Sequence, residues 1–152
     1  MEANCIFCKI VHGELAAPVV FEDESSVAFL DHRPVFPGHT LLIPKLHYET
    51  LVDLPSDAIG RFFKNVQLLS RVIELALNAD GSFVAINNRV SQSVPHFHVH
   101  IVPRRRKDGL KGFFWPRHKY ESGEQMLQIQ EAIKSAVARE EPESIGSSTH
   151  EK

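Results

Sequence analysis

The sequence predicts an α+β fold built around one antiparallel sheet. Three observations carry that reading. Short runs rich in β-branched and aromatic residues alternate with turn-forming clusters, one long central segment has helical periodicity, and a second amphipathic helix follows the last strand. No internal repeat or linker composition divides the chain. Residues 1–140 are therefore expected to form one domain, with 141–152 a disordered tail that has little to bury.

Val19–Glu22 and Val27–Leu30 flank the acidic turn Asp23–Ser26 and read as a hairpin. Thr40–Pro44 is a third strand, closed by its proline. From Pro55 to Ala79, Ile59, Phe62, Phe63, Val66, Leu69, Val72, Ile73 and Leu77 recur at helical spacing, with Pro55 near the start and Gly81 as the expected stop. Phe83–Asn87 reads as a strand and is expected to pair antiparallel with the histidine-bearing strand that follows the turn at 88–93. The last helix runs from Gly123 to Arg139. Ser122 and Gln125 form its capping box, and Met126, Ile129, Ile133 and Val137 its apolar stripe.

With 152 residues, 43% hydrophobic and 24% charged, the chain can bury a substantial core. No apolar run approaches a membrane span, and the N-terminus has neither a basic nor an apolar signal region, so a cytoplasmic location is expected. A net charge of −2 argues against general nucleic-acid affinity. The exception is local: Arg104, Arg105, Arg106, Lys107, Lys111, Arg117 and Lys119 face only Asp108, interleaved with Phe113, Phe114, Trp115 and Tyr120. The plain reading is a solvated loop whose aromatics cover the core or a dimer mate. Alternatives are contacts to the distal phosphates of a polyphosphate, or to nucleic-acid ends.

The chemistry concentrates in His96-Phe97-His98-Val99-His100-Ile101. A strand repeats its side-chain direction every two residues, which puts three imidazoles on one face and three apolar groups on the other. Same-face neighbours sit roughly 6.6 Å apart, so the outer imidazoles start about 13 Å from one another, too far to share one metal. Three histidines with different roles are expected. Neutral imidazole suits nucleophile, acid and base chemistry near pH 7, and a merely solvated polar strand would not need it. Cys5 and Cys8 form a C-x-x-C pair that could be redox-active, half of a zinc site, or two ordinary thiols. Four preceding residues leave no room for the strand of a thioredoxin-like motif, and Lys9 stands where c-type haem attachment needs histidine. Tetrahedral zinc would need two more ligands.

The tract Gln92-Ser93-Val94-Pro95-His96-Phe97-His98-Val99-His100-Ile101-Val102 resembles the signature of the histidine triad (HIT) family. Cys5-Ile6-Phe7-Cys8, Phe29-Leu30-Asp31, Pro37-Gly38-His39, Ile43-Pro44-Lys45-Leu46-His47 and Ile86-Asn87-Asn88 resemble landmarks of its Hint-like branch in the same order, over roughly residues 4–120. The resemblance implies a purine nucleotide hydrolase or transferase acting at the α-phosphate, usually a homodimer with a sheet continuous across the pair. Substrates would be nucleoside phosphoramidates, adenylates or dinucleoside polyphosphates. It makes His98 the nucleophile of a nucleotidyl-histidine intermediate. His100, Ser93, Gln92 and Asn87 would meet phosphate, and His39 would fix the histidine arrangement. Ile6, Phe7, Ile10, Phe29 and His32 would line the base site, with the Asp31 carboxylate on the ribose. Structural zinc would take Cys5, Cys8, His47 and His96. The loop at 88–91 is about two residues shorter than in most relatives and lacks their glycines, which leaves Asn87 or Asn88 to meet the phosphate. A reading of different class also stands, a zinc-stabilised nucleotide-binding module with incidental turnover. Nucleic-acid and membrane partners are not expected.

Overall fold

A computed structural model describes residues 4–110 and 118–140, and the chain divides after Leu110 into two compact units. In the first, helix α1 (Ile6–Val11) leads into strands β1 (Val19–Glu22), β2 (Ser26–Leu30) and β3 (Thr40–Pro44). A 3-10 turn at Leu51–Asp53 precedes the long helix α2 (Ser56–Leu77), and strands β4 (Gly81–Ile86) and β5 (Val99–Arg104) complete the unit. The sheet runs in the order β1-β2-β3-β5-β4 with every neighbouring pair antiparallel. The expected α+β class and the pairing of β4 with the histidine segment are both present.

Both faces of the central strands are covered, and their period of two sorts side chains into two layers. Ala28, Leu42, Val99 and Ile101 face α2, where they pack with Phe62, Val66, Leu69 and Ile73. Val27, Phe29, Leu41 and Ile43 face the other way and pack with Cys5, Phe7 and Cys8 at α1. This second layer carries the histidines, because residues 96, 98 and 100 alternate with the core residues Phe97, Val99 and Ile101.

Three boundaries depart from the sequence reading. The regular ladder begins only at Val99, so His100 alone lies within a strand, while His96 and His98 occupy extended but irregular chain. The side-chain alternation survives because Phe97 is still drawn into the core, fully buried, with its N–H donated to the Tyr48 carbonyl at 2.6 Å. Helix α2 stops at Leu77, two residues short of Ala79, since Asn78 takes the left-handed conformation (φ 48°) and closes the last turn. Gly81 instead opens β4. The segment Ile6–Val11, unassigned from sequence, is a helix capped by the Cys5 sulfur, which faces the Cys8 N–H at 3.5 Å.

The hairpin turn is as expected, and Asp23 organises it: Oδ1 accepts from the N–H groups of Ser25 and Ser26, and Oδ2 from Asn65 of α2 at 2.7 Å. Burial alone would raise this carboxyl, but those hydrogen bonds outweigh it and hold it far below the usual carboxylate range. The second unit contains α3 (Gly123–Glu140). Half of the expected capping box forms: Gln125 N–H donates to Ser122 Oγ at 3.1 Å, but Gln125 Oε1 accepts from the N–H of Glu121, one residue before the cap, at 2.8 Å. Phe113, Phe114, Trp115, Lys111, Arg117 and the expected tail lie outside the described residues.

Candidate functional site

The three histidines enter three environments, and in each a hydrogen bond to one ring nitrogen assigns the chemistry of the other. His96, fully buried, sets Nε2 2.9 Å from the Pro44 carbonyl oxygen. A carbonyl can only accept, so Nε2 carries the proton and Nδ1 keeps its lone pair. Nδ1 lies 3.5 Å from Cys5 Sγ and 3.7 Å from Cys8 Sγ, and His47 Nδ1 lies 3.3 Å from Cys8 Sγ. The donor atoms of Cys5, Cys8, His47 and His96 all fall within 4.8 Å of one another. A tetrahedron with ordinary zinc–sulfur and zinc–imidazole bonds has sulfur–nitrogen edges of roughly 3.6 Å. The observed spacings match that value, and the second hydrogen bond on His96 is the usual support for a ligating imidazole. The donor set therefore fits zinc with all four positions filled by protein.

At the other end of the row, His39 Nδ1 accepts the Val35 N–H at 3.2 Å. Its proton is consequently on Nε2, which faces His100 Nδ1 at 3.0 Å, and that in turn puts the His100 proton on Nε2. Asp31 Oδ2 stands 3.6 Å from His39 Nδ1, which would favour the opposite tautomer, but the shorter backbone contact decides. Asp31, His39 and His100 form a second group of potential ligands, yet both nitrogens of His39 are already hydrogen-bonded, so the group works as a relay that orients His100. His39 reaches this position through Gly38, whose φ of 94° disfavours any side chain and whose place against Leu77 leaves no room for one.

Between the two ends, His98 Nδ1 sits 2.6 Å from the His96 carbonyl oxygen. Nδ1 is the protonated nitrogen and Nε2 the one with the lone pair. Phe7 packs edge-on against this ring at 5.3 Å and against Phe29 at 5.4 Å. His98 and His100 line a cavity of about 630 Å³, whose wall includes Ile6, Phe7, Ile10, Phe29 and Leu41. Asp31, His32 and Ser93 also border it. Its size and apolar lining suit a nucleoside-sized ligand. Burial pushes both His96 and His100 down to about 4, with neighbouring imidazoles adding to the effect. Burial also lowers His98, against an opposing hydrogen bond to the His96 carbonyl and the nearby Asp31 charge. It lowers His39 as well, with Asp31 opposing. The row is neutral near pH 7, the state in which imidazole nitrogen is nucleophilic.

Of the residues expected at the site, Ile6, Phe7, Ile10, Phe29, Asp31, His32, Ser93, His98 and His100 meet at the cavity, and His39 stands behind His100. Gln92 and Asn87 are not in its wall. Gln92 makes its contacts to the neighbouring backbone: its Oε1 accepts the Arg89 N–H at 2.7 Å and its Nε2 donates to the Glu49 carbonyl at 2.6 Å. The physical reason is the glycine-poor loop. Arg89 and Ser91 both take left-handed backbone (φ 65° and 59°), a costly conformation for residues with side chains, and Gln92 props it. Asn88 Oδ1 accepts the Leu51 N–H at 3.0 Å, a bond that does not use its Nδ2 donors. The basic segment is partly internal: Arg104 pairs with Asp108 at 2.6 Å, and the exposed Arg105 donates to the Leu77 carbonyl at 2.7 Å. Arg33, not singled out from sequence, borders the cavity, and only its place two residues after Asp31 could have pointed to it.

Residues 12–107 match the HIT domain family. A HIT-like protein of Methanocaldococcus jannaschii is 48% identical over 107 residues, 69% of this chain and 82% of that protein. An adenosine 5′-monophosphoramidase of Candida albicans is 31% identical over 149 residues, covering 94% and 97% of the two chains. Among solved structures, a zinc-bound histidine triad family protein from Mycobacterium smegmatis superposes with a TM-score of 0.68 at 34% identity, covering 90% of this chain and 97% of that one. No described helix is long and apolar enough to cross a membrane.

Proposed function

This chain belongs to the HIT domain family, and on that premise we propose that it is a nucleotide hydrolase or transferase acting at the α-phosphate of a purine nucleotide through covalent catalysis by His98. One observation carries the reading. The backbone carbonyl of His96 holds the proton of His98 on Nδ1 and leaves Nε2 as a lone pair at the wall of a nucleoside-sized cavity. Nε2 attacks the α-phosphorus in line, the bond to the leaving group breaks, and a nucleotidyl-histidine forms. Water then attacks the same phosphorus opposite the histidine nitrogen and restores free imidazole. His100, with its proton held on Nε2 by the relay from His39, donates to a non-bridging oxygen as charge accumulates there. Ser93 is placed for the same task, and Asp31 accepts from the ribose hydroxyls. Asn87, or Asn88 through its Nδ2 donors, would supply an amide to the phosphate.

Zinc would be held by Cys5, Cys8, His47 and His96, where with no open coordination position it supplies a crosslink rather than an electrophile. The crosslink ties α1, and with it Ile6 and Phe7 of the cavity wall, to the segment carrying His98. The family's homodimer would extend the sheet through β4, an edge strand on which Phe83 and Val84 are exposed.

The test is direct. Rapid mixing with adenosine 5′-phosphoramidate labelled in the adenosine, followed by acid-free quenching and peptide mass spectrometry, should place a nucleotidyl group on His98. Full turnover by His98→Ala would overturn the reading by putting the nucleophile elsewhere, and nucleotide binding without adduct or turnover in the wild type would favour a binding module.

A further inference from the structure

The proposed nucleotide cavity carries a charged rim that the phosphate chemistry does not use. Asp31, His32 and Arg33 follow one another at the end of β2, and all three border the cavity. They form one hydrogen-bonded unit. Asp31 Oδ1 accepts the Arg33 N–H at 2.8 Å and stands 3.7 Å from His32 Nδ1, while His32 Nε2 accepts from Arg33 Nε at 3.3 Å. The Nε2 edge of the His32 ring is thereby occupied by Arg33.

The guanidinium is differently placed. Nε is spent on His32, and among the described residues its two Nη groups have no hydrogen bond or ion pair, so they remain as an end-on fork of donors. The surrounding wall, Ile6, Phe7, Ile10 and Phe29, has no side-chain group that can read a base edge. A donor-only fork discriminates between purines. Guanine presents O6 and N7 side by side as two acceptors, whereas adenine sets the N6 amino donor beside N7, opposing one arm of the fork. The Asp31 bond fixes the Arg33 backbone and the Nε contact to His32 orients the side chain before any ligand arrives, which reduces the ordering cost of using an exposed arginine.

From this juxtaposition we infer that Arg33 is a specificity-determining residue that binds the O6 and N7 atoms of guanine, so that the chain is selective for guanosine over adenosine nucleotides. The inference rests on the nucleotide reading above and deepens it. It also differs from what a phosphate-binding arginine would do: base discrimination depends on the pattern of donors and acceptors, while a phosphate contact is indifferent to the base.

The experiment compares kcat/KM for guanosine and adenosine 5′-phosphoramidates with the full chain, and binding of GMP and AMP by calorimetry. The wild type should favour guanosine by on the order of tenfold, the range of one bidentate base contact. Arg33→Ala should bring the two substrates level, chiefly by lowering kcat/KM for guanosine. Arg33→Gln should reverse the preference, because a carboxamide offers one donor and one acceptor to N6 and N7 of adenine. Arg33 is exposed, so neither substitution threatens the fold. Equal use of both substrates by the wild type, or equal loss of both in Arg33→Ala, overturns the inference and leaves the nucleotide reading standing. Failure of the wild type to bind or turn over either nucleotide overturns both.

Discussion

The two ends of the histidine row are built from similar parts and differ in what the backbone does to them. Around His96, the Pro44 carbonyl takes the proton on Nε2 and turns a lone pair toward two thiol sulfurs. Around His100, the Val35 N–H fixes His39, which fixes His100 with its proton on Nε2, beside a carboxylate. One end is a buried, sulfur-rich cage with every donor pointing inward. The other borders an open cavity and presents a hydrogen-bond donor. The residue type does not choose between ligand, nucleophile and donor. The tautomer does, and a main-chain group chooses the tautomer.

That contrast predicts different failures at different positions. His98→Ala should abolish turnover, a loss on the order of 10⁴-fold or more in kcat, with binding of nucleotide monophosphate retained. Steady-state kinetics alongside calorimetry separates the two effects. At the sulfur end, Cys5→Ser should remove zinc, read by metal analysis, and lower Tm by on the order of 10 °C, equivalent to about 3 kcal/mol. At the cavity end, His39→Ala should leave metal content unchanged and lower kcat by roughly 10²-fold, the scale of losing one oriented donor, with KM little affected. If Cys5→Ser acts on kcat alone, or His39→Ala on metal content, the two ends are not the separate devices described.

The fold was legible wherever a period repeats often enough to be counted. Helix α2 and strand β3 declare themselves because Phe62, Val66, Leu69 and Ile73, or Thr40–Pro44, repeat a single geometry with buried faces. Helix α1 does not, since one and a half turns offer no period and its start rests on a cysteine cap. The alternation of His96, His98 and His100 was readable even where the strand was not regular, because burial of Phe97 enforces it. Grouping Cys5 and Cys8 with His47 required the family resemblance, as spacing alone cannot bring together residues 39 positions apart. The tautomers were not readable at all. They depend on the carbonyl of Pro44, 52 positions from His96, and on the N–H of Val35, and main-chain groups leave no mark on residue identity. The contacts of Gln92 were unreadable for a related reason: two left-handed residues in a loop without glycine need a brace, and the glutamine nearest to them supplies it.

The smallest expected effect concerns acid stability. His100 is held down to about 4, below its unfolded value near 6.5. Between those values the unfolded chain binds the extra proton, so the stabilising contribution is complete above about pH 6.5 and is lost as pH falls toward 4. Urea midpoints measured across that window should decline with acid, and His100→Gln should flatten the decline.

The division of labour along the row rests on where three protons sit. Nitrogen-15 NMR of the histidine rings near pH 7 reads this directly. His98 should show a protonated Nδ1 and an unprotonated Nε2, and His100 the reverse, with His100 losing its fixed pattern in His39→Ala. A His98 ring protonated at Nε2 would contradict the account, because the nitrogen assigned to attack phosphorus would have no lone pair to use.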